Sequence, residues 1–288
     1  MQKYIDRFLE MAAIRGLTDK TLKSYKSCIK SYLGYVETYL EKIPDYVTWE
    51  EMRTYISFIK QSRSLSDRTI NAHISIIRFF LEYVLHRPWD HYQLPYRKFD
   101  KFLPTVPSQE DARHFIKTLP NLKHRAIVAL MYSAGLRVSE LCNLKYSDVS
   151  RKDMRVYVAR SKNRSDRFTI LSKNALVILT QYWRQYGQPR EWLFPSTRNG
   201  GIKPIASFTV NCIVNDHLDR LGWSQKINCH SFRHGFGTHL YENGVDLLTI
   251  QKLLGHNSIN STTIYVHLAS YKNSNISSPF DVEDTAND

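Results

Sequence analysis

Cysteine is scarce in this chain. The four residues Cys28, Cys142, Cys212 and Cys229 are scattered with no Cys-x-x-Cys spacing, a pattern that suggests neither a disulfide framework nor a cysteine-rich zinc site. Long apolar runs are missing as well. The longest, Ala126 to Met131 with a looser continuation to Leu136, is far short of the roughly 20 residues that cross a bilayer. No membrane partner is expected. The opening Met1-Gln2-Lys3-Tyr4-Ile5-Asp6 has no long apolar region of the secretory kind, so a cytoplasmic location with reduced thiols is expected. There is no Gly-x-x-x-x-Gly-Lys phosphate loop, and the 11 histidines show no His-Glu-x-x-His spacing, so the sequence signals neither a nucleotide nor a metal. Acidic side chains are the minority charge.

Lysine and arginine total 40 against 27 acids, a net charge of +13, which points to a polyanionic partner, nucleic acid first, rather than a small neutral substrate. With 288 residues, 42% of them hydrophobic, the chain can bury a real core in one large or two modest domains. Residues 1–100 hold 16 basic and 12 acidic side chains, and residues 101–272 hold 24 and 11. The second part carries the cationic field. Residues 273–288 carry acids and no lysine or arginine, a composition expected to be flexible.

Apolar residues recur at helical spacing from Ile5 to about Leu85, with Ile5, Phe8, Leu9 and Ala12 in one stripe and Tyr25, Ile29, Tyr32, Leu33 and Val36 in another. Four short helices fit there. Thr18 or Asp19, Thr48, and Ser66 or Asp67 are suitable N-caps for the last three. Between His86 and Pro107 four prolines punctuate a basic, aromatic stretch, which reads as a linker. Its Arg87, Arg97, Lys98 and Lys101 suit either a strap along a phosphate backbone or a solvated connection. Ser108 with Asp111 opens a new helical stretch that runs to about Leu144. Met154 to Arg160 then alternates with period two and is followed by Arg167-Phe168-Thr169-Ile170-Leu171, a predicted β-hairpin. Helical patterning resumes from Asn174 to about Leu268. The expected fold is mainly α with a small β-hairpin or sheet, arranged as a bundle over 1–90, a linker over 91–106, a mixed α/β domain over 107–272 and a tail over 273–288.

Three stretches are informative together: Gly135-Leu136-Arg137-Val138-Ser139-Glu140-Leu141, His230-Ser231-Phe232-Arg233-His234, and Leu253-Leu254-Gly255-His256 followed nine residues on by Tyr265. On a helix His230 and Arg233 project from one face and can grip one anion. Arg137 sits where a helix begins, near amide donors and the positive end of the helix dipole. Two forked guanidinium groups can hold the non-bridging oxygens of a phosphodiester and the charge that builds on it. His256, after a glycine suited to a helix end, can add a donor. Phosphoryl transfer also needs a nucleophile, for which Tyr265 is the best candidate. Ser261-Thr262-Thr263 would cap a short helix bearing it. Lys162 in the hairpin turn is placed as a general acid, or is a surface lysine in a hairpin that also holds Arg160, Arg164 and Arg167.

These motifs resemble the tyrosine recombinase, or phage integrase, family. Its pattern has an arginine in a Gly-Leu-Arg-x-Ser-Glu-Leu helix, a hairpin lysine, His-x-x-Arg, Leu-Gly-His and a tyrosine nine positions later. The resemblance covers nearly the whole chain. It implies a helical core-binding (SAM-like) N-terminal bundle, with Gly16-Leu17-Thr18-Asp19-Lys20-Thr21 and Tyr25 in the place of a common phrase, and a tyrosine-recombinase catalytic domain. It also implies that Arg137, Lys162, His230, Arg233 and His256 activate the scissile phosphate while Tyr265 attacks it to give a 3′-phosphotyrosyl link. Glu140 would orient Arg137. The hairpin Ser161-Lys162-Asn163-Arg164-Ser165-Asp166-Arg167 aligns the lysine but lacks the glycines of the family's Gly-Lys-Gly-x-Lys-x-Arg.

The implied partners are double-stranded DNA with specific inverted-repeat recombination sites and a homo-tetramer, or related hetero-tetramer, on that DNA. No cofactor is implied. A site-specific DNA recombinase of the integrase or transposase type is the expected function. The alternatives are a type IB topoisomerase-like nicking-closing enzyme and a non-catalytic DNA-binding regulator; retention of all six positions argues against the regulator. The chain is expected to leave no room for an arm-binding module. The acidic tail differs from the basic C-terminal segment of typical chromosomal Xer proteins and mildly favours a mobile-element role over Xer-type dimer resolution.

Overall fold

The computed structural model describes residues 1–100, 102–159, 166–197 and 202–269. The chain forms two compact units, Met1–Lys101 and Phe102–Asp288. In the first, four helices follow one another: α1 (Gln2–Ile14), α2 (Asp19–Tyr35), α3 (Trp49–Arg63) and α4 (Asp67–Tyr83). The caps are those the sequence offers. Thr18 accepts the amide of Thr21, Ser66 accepts that of Thr69, and Thr48 forms a reciprocal box with Glu51. Each such cap satisfies amides that lack a partner in the first turn, and is worth about 1 kcal/mol.

The predicted stripes face the core. Ile5, Phe8 and Ala12 from α1 meet Ile29, Tyr32, Leu33 and Val36, with Leu9 and Tyr25 half-buried at the margin. Burying one such large side chain is worth about 1.5–3 kcal/mol. One feature has no sequence signal of its own: α2 continues through a π-helical turn, Val36–Leu40, which ends at Glu41 with φ 53°.

Part of the expected linker lies on this bundle. Arg87 donates to the Val47 carbonyl at 2.8 Å. Arg97 pairs with Asp67, and its amide donates to Asn71 Oδ1 at 2.9 Å. These two cations are thus spent on the protein rather than lying along an open strap. Lys101 is outside the described residues.

The second unit begins with α5 (Gln109–Thr118), α6 (Leu122–Ser133) and α7 (Val138–Cys142). Ser108 caps α5 through the Asp111 amide. The longest apolar run of the sequence, Ala126 to Met131, is buried on every side as the body of α6. An antiparallel sheet follows, with β1 (Val149–Ser150), β2 (Arg155–Val158) and β3 (Arg167–Ile170) in that order. Val156 pairs with Thr169, and Val158 with Arg167.

The alternation of β3 runs against its hydrophobicity. Arg167 and Thr169 are buried, while Phe168 and Ile170 are exposed at 58% and 39%. Directly paired residues share a face of the sheet, so the inward Val156 and Val158 fix the inward side of β3.

Among the described residues five further α-helices follow: α8 (Lys173–Tyr186), α9 (Ser207–Leu221), α10 (Cys229–Glu242), α11 (Leu247–Leu254) and α12 (Ile264–Leu268). The helical pattern expected from Asn174 onward is interrupted after α8. Gly187 takes φ 81° and Pro189, Pro195 and Pro204 prevent a helix from continuing. Bridges join Lys145 with Trp192 and Pro195 with Pro204 instead. Trp183 is buried, and Trp192 and Trp223 are half-buried. No helix among the described residues is long and apolar enough to cross a membrane.

Candidate active site

Arg137 stands immediately before α7, in extended conformation. The sharp turn that brings it there passes through Gly135 at φ 61°, where a Cβ would come within 2.3 Å of Phe236 Cδ1. Only glycine fits that left-handed, crowded position. The Arg137 amide donates to Glu140 Oε2 at 2.9 Å and its guanidinium to Oε1 at 2.7 Å. Glu140 therefore fixes both the main chain and the side chain of Arg137.

The same carboxylate collects two further guanidinium groups. Arg167 binds it with both prongs, at 2.9 and 2.8 Å, and Arg233 NH1 lies 3.5 Å from Oε2. Arg233, only 1% exposed, donates to the carbonyls of Gly135 and Leu254, both at 2.6 Å. Arg167 Nε donates to the Leu253 carbonyl at 2.8 Å. Two arginines thus satisfy carbonyls that the end of α11 leaves without an amide partner. Gly255 ends that helix at φ 63°, and a Cβ there would sit 2.8 Å from Arg167 Cδ.

Burial would raise the Glu140 carboxyl, but hydrogen bonds and charge from Arg167, then the Arg137 amide and Arg233, hold it at about 2. Desolvation, with Arg137 nearby, lowers Arg233 to about 9 while Glu140 opposes the change. It remains cationic at neutral pH. Three guanidinium groups around one carboxylate leave an excess of positive charge, which suits a bound phosphodiester.

His230 lies exposed in the first turn of α10, where Asn228 accepts the amides of His230 and Ser231. Its neighbour on the same helix, Arg233, is turned into the protein. The His230 ring meets His234 edge-on at 4.6 Å, and His234 lies 6.0 Å from the ring of Tyr265. His256 stacks on Tyr265 at 6.2 Å and 17°, with its Nδ1 2.9 Å from the buried Thr262 hydroxyl. Desolvation, reinforced by nearby charge, lowers all three histidines, His234 to about 4 and His256 to about 3. Each ring is thus neutral at pH 7 and offers one donor and one acceptor.

Tyr265 occupies the first turn of α12, fully buried, with its hydroxyl lacking a hydrogen-bond partner. Burial pushes the phenol up to about 12, against the opposing pull of Arg233 and Arg137. The expected side-chain cap on α12 is not formed. Ser261 closes a short 3₁₀ turn, Thr262 turns inward to His256, and the Thr263 hydroxyl donates to the Asn260 carbonyl.

The Tyr265 ring rests on the bare backbone of α10. A Cβ at Gly237 would approach it to 2.5 Å. Gly237→Ala is therefore expected to expel the ring and to make Tyr265 readily nitrated by tetranitromethane, as read by peptide mass spectrometry. Equal resistance of variant and parent would contradict this seating.

Lys162 and the tail beyond Ala269 lie outside the described residues. The structure brings together Arg137, Glu140, His230, Arg233, His256 and Tyr265, and adds Arg167 and His234, which sequence reasoning did not place in the site. His239 instead pairs with the Tyr132 hydroxyl at 2.8 Å. Buried Cys229, its thiol pushed up to about 12 by desolvation, points to the Val210 carbonyl. Among the described residues no group of three or more His, Cys, Asp or Glu side chains is gathered as a metal site requires.

A helical bundle followed by a mixed unit, in which arginines converge beside a buried tyrosine, defines a class of two-unit DNA strand transferases. The chain belongs to the phage integrase family: that family's pattern matches residues 108–272, and the pattern of the phage integrase N-terminal SAM-like domain matches residues 4–91. It is a tyrosine-type site-specific recombinase. A relative from Sinorhizobium fredii that carries an integrase/recombinase name is 38% identical over 88% of this chain and 82% of its own length. The tyrosine recombinase XerD of Rickettsia bellii is 29% identical over 92% of this chain and 94% of its own. The fold is shared with a lambda integrase tetramer bound to a Holliday junction, at a TM-score of 0.67 and 22% identity, covering 89% of this chain and 77% of that one.

Proposed function

We propose that the chain binds double-stranded DNA at inverted-repeat sites and exchanges strands between two such sites as a tetramer, with Tyr265 as the nucleophile. The observation that carries this reading is the Glu140-centred cluster of Arg137, Arg167 and Arg233, together with the buried Tyr265 ring seated on α10, the helix that bears Arg233. Arg137 and Arg233, with neutral His230 and His256, would bind the non-bridging oxygens and the charge that grows on them. As the Tyr265 oxygen bonds to phosphorus, the P–O5′ bond breaks. The phenolic proton passes to a neutral imidazole, and Lys162 protonates the departing 5′ oxygen. A 5′-hydroxyl of the partner strand reverses the step, so the phosphodiester energy is kept.

Both Arg233 and Tyr265 are closed to solvent, so DNA engagement must draw α12 outward. The chemistry asks for neither metal nor nucleotide. A cytoplasmic location accords with a DNA substrate, and the lambda integrase tetramer on a Holliday junction is the kind of assembly envisaged.

A mobile-element role is the better supported one, since the integrase/recombinase relative matches at 38% and XerD at 29%. Its test places a marked DNA segment between the sequences that flank the gene and compares transfer of that segment with resolution of plasmid dimers bearing the host's dimer-resolution site. Transfer without resolution supports the proposal, and resolution alone overturns it. For Lys162, a 5′-bridging phosphorothiolate supplies a leaving group that needs no proton. Lys162→Ala is expected to cleave that substrate near the parent rate while failing on ordinary DNA. A variant equally slow on both would remove the general-acid role.

A further inference from the structure

We infer that Arg167 is a positioning residue for strand cleavage: it occupies the two-pronged face of Glu140 so that Arg137 keeps its donors for the phosphate, and it ties the hairpin to the turn that carries His256. The inference rests on the reading that Arg137 and Arg233 clamp the scissile phosphate. Three observations support it. First, β3 leaves Phe168 and Ile170 exposed while burying Arg167 to 8% exposure. Burying a guanidinium is unfavourable unless its donors are matched, and here Nε, NH1 and NH2 each find an oxygen at 2.8–2.9 Å.

Second, the sharing of Glu140 is unequal. Arg167 takes one prong on each oxygen, whereas the Arg137 side chain makes a single contact, to Oε1 at 2.7 Å. Without Arg167 the carboxylate is free to turn and take Arg137 in a forked pair, the geometry that guanidinium and carboxylate prefer. Arg137 donors would then face Glu140 instead of DNA.

Third, Arg167 joins separate parts of the proposed site. Through Glu140 it reaches α7 and Arg137. Through the Leu253 carbonyl, and by packing so close to Gly255 that a Cβ there would sit 2.8 Å from its Cδ, it holds the end of α11 from which His256 projects. In sequence it opens β3 five positions after Lys162. Small displacements of such groups are costly to catalysis, because the gain depends on orientation.

Arg167 is inside the protein, so its loss should alter the chemical step and not DNA affinity. The test uses a nicked duplex carrying the recombination site, defined beforehand by sequencing DNA captured covalently on the chain. A second duplex has one non-bridging oxygen of the scissile phosphate replaced by methyl. That neutral phosphonate needs less positive charge, so a defect in guanidinium placement shrinks on it, whereas a general folding defect does not.

Arg167→Met is expected to cleave ordinary DNA about 100-fold more slowly with binding within about twofold, and to recover at least tenfold of the loss on the phosphonate. Arg167→Lys, which keeps the charge but not the fork, should show the same pattern and serves where the methionine variant does not fold. Cleavage at the parent rate, or an equal defect on both duplexes, overturns the inference. Arg137→Ala is the control. If the phosphonate relieves Arg137→Ala but not the Arg167 variants, the role of Arg167 fails alone. If it relieves neither, the phosphate clamp itself is wrong.

Discussion

Tyr265→Phe is expected to lower formation of DNA-linked protein by roughly a millionfold, the scale on which loss of a covalent nucleophile is felt, while leaving the protein at least as stable as before. The two halves of this expectation have one source. The Tyr265 hydroxyl is buried without a hydrogen-bond partner, a situation that costs about 1–3 kcal/mol. Phenylalanine keeps the ring on Gly237 and beside His256 but removes the unpaired group. A gain of about 1 kcal/mol corresponds to a rise in melting temperature of about 2–4 °C for a unit of this size. Calorimetry beside a gel assay for the adduct checks both. A variant that loses its adduct because it unfolds would remove the case for Tyr265 as an unsatisfied nucleophile held ready for reaction.

Glu140→Gln is expected to be the most destabilising single substitution in the site, by about 3–5 kcal/mol, because it leaves buried guanidinium groups without their counter-ion. The pH dependence follows from the depressed carboxyl. Glu140 sits at about 2 in the folded protein against an ordinary value of 4.5, so the folded state binds its proton more weakly than the unfolded state. Its contribution is complete above about pH 4.5 and is lost as pH falls toward 2, amounting to about 3 kcal/mol. Denaturant unfolding of parent and variant at neutral pH, pH 4.5 and pH 3 should show a constant gap down to 4.5 and a narrowing gap below it. A gap that stays constant through pH 3 would show that the carboxylate is not held by the arginines in solution.

The helices of the first unit could be read from spacing and caps because both are local. Thr18, Thr48 and Ser66 each satisfy amides a few positions away, and the stripe of Phe8 and Ile29 needs only a period of 3.6. The hairpin was visible too, but not the parity of its second strand. Taken alone, Arg167-Phe168-Thr169-Ile170 reads as an amphipathic strand with Phe168 and Ile170 inside. The ladder of Val158 with Arg167 reverses that, and register is a property of the pair of strands rather than of either one.

For the same reason Arg167 reads in sequence as one more basic residue in a basic hairpin. Its partners Glu140 and Leu253 are distant in sequence, and the family's terminal hairpin arginine was the only signal that could have picked it out. The placements of Arg137 at a helix start and of His256 after a left-handed Gly255 were local and were anticipated. The burial of Tyr265 was not, since the platform beneath it is the absence of a side chain at Gly237, and only the packing of α12 on α10 gives that absence a meaning.

The most direct measurement is to isolate the covalent protein–DNA complex formed on DNA from cells that carry the gene, digest both partners, and identify the joined peptide and the polarity of the joined strand. A Tyr265 peptide bearing a 3′-phosphate, opposite a free 5′-hydroxyl, is the predicted product. A link through any other side chain, or through a 5′-phosphate, would contradict the assignment of Tyr265 and the strand-transfer chemistry built on it.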